Sequence, residues 1–257
     1  MLRRVLALTT FGLLTLSGGW AAAATDYCQG GTKTIVFLID RTTAFDEIDR
    51  QDLVTGLDPL FSYLGSGDRL IVQSVNDDFN RSARLLDFCK AQCPDAGFIG
   101  NLMSTCSTIN ARRDLVLQKD EVARVMMRVL QEIEQYERSD IMATIGSVSK
   151  DLAFATQAGR TKPLRMMILF SDLLENSQPV PWPQITQSNP RTKAKFAEIV
   201  QQGALTGVDV VAFGVGRSHA PVRPALDRQS LTRVDENWRE FFRVAGAKSF
   251  RVVRRLE

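Results

Sequence analysis

The sequence predicts an α/β fold: a three-layer, doubly wound, mostly parallel six-stranded sheet with helices on both faces. Two observations predict it. Short apolar runs rich in β-branched residues alternate with helix-period segments along nearly the whole chain. The runs are apolar throughout rather than every second residue, as strands covered on both faces require. There is no internal repeat or low-complexity tract to suggest a solenoid. With 257 residues, 44% apolar and 24% charged, the chain is sized for one globular domain and too rich in core formers to be disordered.

The elements follow in order. Lys33–Ile39 (KTIVFLI) reads as a buried strand ending at Asp40. Apolar residues at 45, 48, 53, 57, 60, 61 and 64 predict a helix over Phe45–Leu64, with Pro59 as a flaw and Gly65 and Gly67 as the stop. Arg69–Val75 is the second strand and Ala83–Phe88 a shorter third, at an edge. Residues 89–116 carry cysteines, Pro94 and several glycines without a sustained period, and read as a disulfide-held insertion. Asp120–Tyr136 is a helix with the stripe Val122, Val125, Met126, Val129, Leu130 and Ile133. A second helix, Ile141–Ala158, is entered through Ser139 and Asp140. Leu164–Phe170 is a buried strand ending at Ser171-Asp172. Residues 175–191 form a proline-rich loop carrying Trp182. Thr192–Leu205 (helix), Val208–Phe213 (strand), Trp238–Ala245 (helix) and Ser249–Val253 (strand) complete the pattern.

The N-terminus reads as an address. Arg3 and Arg4 precede an apolar run, Val5–Leu16, and four alanines, Ala21–Ala24, close it. This is the layout of a secretory signal peptide, with cleavage expected after Ala24. The run is too short to cross about 30 Å of hydrocarbon, and no later segment has 18 uninterrupted apolar residues, so no stable membrane insertion is expected after cleavage. A periplasmic or secreted protein is expected. The four cysteines, Cys28, Cys89, Cys93 and Cys106, then suggest two disulfides, with three pairings open. Their spacing lacks the paired rhythm of a zinc site.

Composition excludes several classes of function. Net charge is +3, from 32 basic and 29 acidic residues, which gives no nucleic-acid footprint. The single histidine, His219, excludes multi-histidine metal centres, and it has no evident nucleophile beside it. Gly214-Val215-Gly216 lacks the third glycine of a dinucleotide loop and reads as a tight turn. What remains lies at the carboxyl ends of the strands, where open parallel sheets bind ligands. Asp40-Arg41-Thr42-Thr43-Ala44, Ser139-Asp140 and Ser171-Asp172 would bring two carboxylates and several hydroxyls to that end. Such a donor set suits a hard divalent cation.

On these residues the chain resembles the von Willebrand factor A (vWA), or integrin I-like, domains, whose metal-ion-dependent adhesion site has three parts. Asp40-Arg41-Thr42-Thr43-Ala44 is similar to the family's Asp-x-Ser-x-Ser, Ser139-Asp140-Ile141-Met142 to the Thr before its middle helix, and Ser171-Asp172-Leu173 to the Asp-Gly after its fourth strand. The resemblance covers Lys33 to about Val253. It implies no enzyme but a protein-binding domain. Asp40, Thr42, Ser139 and Asp172 would hold Mg²⁺ (or Mn²⁺ or Ca²⁺), and a protein partner would offer a carboxylate to it. Trp182 and its loop would form part of the rim. Two departures stand out: Ala44 replaces a serine and Leu173 a glycine. A metal-free scaffold subunit of an envelope assembly is the alternative. A Mg²⁺-dependent phosphatase-like hydrolase using Asp40 is disfavoured, because Thr42 stands where its second Asp belongs.

Overall fold

A computed structural model describes residues 27–42, 46–94, 106–131, 138–187, 189–216 and 226–256. The sheet is built from β1 (Thr34–Asp40), β2 (Arg69–Val75), β3 (Arg84–Cys89), β4 (Leu164–Phe170), β5 (Asp209–Phe213) and β6 (Ser249–Val252), in the spatial order β3-β2-β1-β4-β5-β6. Every pairing is parallel except that of β3 with β2. The chain winds outward from β1 to β3, returns to β4 beside β1, and winds outward the other way. The reversal therefore falls between β1 and β4.

β1 is buried along its whole length, which explains its unbroken apolar run. Its side chains alternate between two cores. Ile35, Phe37 and Ile39 face α1 (Glu47–Thr55), α2 (Leu57–Tyr63) and α3 (Thr108–Gln131). Val36 and Leu38 face α4 (Ile141–Gln157), α6 (Pro190–Ile199) and α7 (Arg228–Val244). The second core is closed by an aromatic group in which Trp238, Phe241 and Phe242 of α7 meet Phe196 and Phe250.

The strands match the sequence reading closely; the helices depart from it in three places. The helix expected over Phe45–Leu64 is divided by Gly56 into α1 and α2. The helix expected from Asp120 starts at Thr108, inside the stretch read as an irregular insertion. Its first turns leave Ile109, Val116 and Leu117 exposed, so no buried stripe marks them in the sequence. The helix expected from Trp238 starts at Arg228, capped by Asp227, whose side chain accepts the Ser230 N–H. The 175–191 loop also contains a short helix, α5 (Trp182–Ile185). Two disulfides form, Cys28–Cys89 and Cys93–Cys106. The first ties the start of the described chain to the end of β3. Residues 1–24, read from the sequence as a signal peptide, Thr43, Ala44, Ile133, His219 and residues 95–105 of the insertion lie outside the described residues.

Candidate functional site at the carboxyl end of the sheet

Asp40 ends β1 with 0% exposure. Its Oδ1 accepts the Thr42 N–H (3.0 Å) and hydroxyl (2.6 Å), and its Oδ2 accepts the Ser171 hydroxyl at 2.6 Å. The β1–β4 reversal is thus bridged by a side-chain bond between residues far apart in the chain. Ser171 in turn accepts the Leu173 N–H, and Asp172 accepts the Leu174 N–H with Oδ1, both at 2.9 Å. Burial, and then the negative charge of Asp172, push the Asp40 carboxyl up to about 6, against the hydrogen bonds from Ser171 and Thr42.

Ser139 reaches the same end by a different route. Arg41 N donates to Val75 O, and Asp140 N to Asn76 O, each at 3.0 Å. Ser139 and Asn176 then exchange both backbone bonds (3.2 and 2.9 Å) as an isolated bridge. With the Ser171–Asp40 bond, these contacts close a ring through the ends of β1, β2 and β4 and the entry to α4. All four residues expected to hold a cation (Asp40, Thr42, Ser139 and Asp172) are carried by segments of that ring, and each is buried. The Ser139 hydroxyl, on a residue 1% exposed, has no hydrogen-bond partner.

Ser171, read from the sequence as a hydroxyl at this strand end, bonds Asp40 instead of standing among the expected ligands. Two further residues of this end were not expected there. Asn76, in the turn after β2, is buried, and its amide donates to Arg81 O at 2.6 Å. Within that turn Asp77 pairs with Arg81, and Asp78 accepts the Asn80 N–H. Glu175 is 0% exposed, and its Oε2 accepts the N–H groups of Ile141 (2.9 Å) and Met142 (3.0 Å). Burial pushes its carboxyl up to about 8, against hydrogen bonds from Ser177, Met142 and Ile141.

The departure at Leu173 has a visible consequence. Its φ is +59°, a left-handed conformation in which glycine is unstrained and a leucine costs roughly 1–2 kcal/mol. The surroundings hold it there. The side chain is buried in the α4–α6–α7 core, its N–H is bound by Ser171, and its carbonyl accepts the Trp238 indole N–H at 2.8 Å. Trp182, expected at the rim, is half-buried: its side chain packs against the same core and its backbone N–H donates to Asn176 Oδ1 at 2.9 Å. Beside Asp140 a groove of about 950 Å³ opens between the Asp77–Arg81 turn, α4 and α6.

The donor set is two carboxylates and hydroxyls, the chemistry of Mg²⁺ or Ca²⁺ rather than of zinc. The orphaned Ser139 oxygen is one such hydroxyl, so the residues fit a hard cation. Among the described residues, no group of three or more His, Cys, Asp or Glu stands in a metal-holding arrangement.

The strand order, the single antiparallel edge strand β3 and the polar carboxyl end define a doubly wound α/β fold of the class the sequence predicts. No protein-family model matches the chain, and no curated protein sequence does. Among solved structures it is similar to the manganese-loaded TRAP protein of Plasmodium vivax, at 12% identity and a TM-score of 0.44, over 88% of this chain and 70% of that one. It is also similar to a von Willebrand factor type A protein from Catenulispora acidiphila (8%, 0.41, over 87% of this chain and 39% of that one). A third is the SpRpn10 VWA domain (8%, 0.40, over 87% and 88%).

Proposed function

We propose that the chain is an exported protein-binding domain that captures an Asp or Glu carboxylate of a partner through a divalent cation. Asp40, Thr42, Ser139 and Asp172 would hold the ion. When bound, the cation supplies a hard positive centre with a position left for the partner's carboxylate. The chain's own residues orient that centre: Ser171 and Thr42 hold the Asp40 carboxylate, and the ring of backbone bonds holds Ser139 opposite. One observation carries the reading. The Ser139 hydroxyl is buried without a partner, a state costing about 1–3 kcal/mol that a bound ion or its water would relieve. The vWA-like fold supports a protein-interaction role in general. The apolar, alanine-closed N-terminus and the paired cysteines support export.

The metal-free scaffold reading also has an observation in its favour. Both Asp40 oxygens are already occupied by hydrogen bonds from Thr42 and Ser171, as in a cluster that satisfies itself. The same engagement, with 0% exposure, weighs against Asp40 as a phosphatase-type nucleophile. Calorimetric titration of the purified chain with Mg²⁺ and Mn²⁺ separates the two live readings. Heat that is lost in Asp172→Ala, with partners that leave the protein on adding EDTA, is the result expected. No heat and no thermal shift would establish the scaffold instead.

A further inference from the structure

We propose that Glu175 is the positioning residue of the Asp40–Thr42–Ser139–Asp172 site, setting the Ser139 hydroxyl by capping α4 from across the fold; this rests on the cation reading above. The N-terminus of α4 has no cap of its own. Asp140 occupies the N-cap position but makes no side-chain bond to the helix. Its Oδ2 accepts the Phe79 N–H instead, at 3.2 Å, and so holds the turn after β2. The donors left over at Ile141 and Met142 need an acceptor. Glu175 Oε2 takes both, from the segment that follows β4.

Ser139 lies directly before this junction. Both of its backbone groups are bound by Asn176, the neighbour of Glu175, while its hydroxyl is held by no hydrogen bond. The place of that hydroxyl is therefore set by its backbone, and the backbone is set by residues 175 and 176. The same segment begins at Asp172. Glu175 thus locks two proposed ligands, Ser139 and Asp172, into one rigid unit across the helix entry. The Oε2 bonds, with a hydrogen bond from the Ser177 side chain, orient the carboxyl group.

The requirement is one acceptor atom at a defined reach, not a charge. Glu175→Gln keeps both and should bind Mn²⁺ within about two-fold of the unmodified chain, as read by calorimetric titration near neutral pH. Glu175→Asp keeps the charge but is one methylene too short to reach both amides. It should weaken binding by about ten-fold or more, the usual effect of losing an outer-shell support. Leu152→Ala lowers stability from the other end of α4 and should leave the affinity unchanged, which separates positioning from general loosening. Glu175→Asp binding as well as the unmodified chain, or Glu175→Gln binding worse than Glu175→Asp, overturns the proposal while leaving the cation site standing. An unmodified chain that takes up no Mn²⁺ overturns the site itself.

Discussion

A carboxyl group sealed from water is expensive to ionise, and Glu175 is such a group. Its value of about 8 lies above the ordinary glutamate value of 4.5 because burial disfavours the charged form more than the hydrogen bonds favour it. The unfolded chain releases this proton as pH passes 4.5, whereas the folded chain keeps it until about 8. Over that window the native state holds the extra proton, so its contribution to stability is complete below 4.5 and is lost as pH rises through 8. Asp40, at about 6, adds a loss of the same sign at lower pH. The melting temperature should therefore fall between about pH 6 and 8, and Glu175→Gln, which cannot ionise, should flatten that part of the curve. A melting temperature that is level in the unmodified chain, or equally steep in the variant, would contradict this origin. Glu175 is invisible as a capping residue in the sequence, because its partners lie 34 and 33 positions upstream and no local pattern connects them. Asp40 and Asp172 are visible because strand ends can be read from the apolar runs before them.

Helix α4 shows what an element needs beyond its own period. Its buried face, with Ile141, Met142, Ile145, Val148 and Leu152, predicts the helix without help. Its closeness to α6 depends on Gly146. A Cβ at that position would lie 2.9 Å from the Ile199 carbonyl oxygen, closer than side-chain carbons pack against backbone. Gly146→Ala gains up to about 1 kcal/mol of helix propensity. Forcing the two backbones apart costs about 1–3 kcal/mol. The clash is expected to win, with a net loss of stability in urea unfolding; a more stable variant would show that α6 yields at this contact. Helix limits are less legible in the sequence than strand limits for a separate reason. The early turns of α3 and α7 are largely solvated and present no continuous apolar stripe to the sequence.

For the whole molecule, the cross-links decide how much of the order at the insertion side is secured covalently. Cys28–Cys89 spans a separation of 61 residues and Cys93–Cys106 one of 13. The longer loop loses more unfolded-state freedom, so Cys28→Ala with Cys89→Ala should cost more than the pair Cys93→Ala with Cys106→Ala. The expected losses are about 4 and about 3 kcal/mol in denaturant titrations. Equal losses would mean that chain entropy does not govern either bridge. No helix among the described residues is long and apolar enough to cross a membrane.

By itself the sequence determined the strands, their approximate ends, the alternation that makes the sheet doubly wound, and the even number of cysteines. All of these follow from local period and composition, which act over a few residues at a time. The tertiary structure alone decided which cysteines pair, that Ser171 grips Asp40 across 131 residues, and that Leu173 is held in a left-handed turn by Trp238. It also decided that Glu175 supplies the cap α4 lacks. Those contacts join segments brought together only when the chain reverses between β1 and β4, and no local pattern encodes which distant atoms that reversal will place within hydrogen-bond reach.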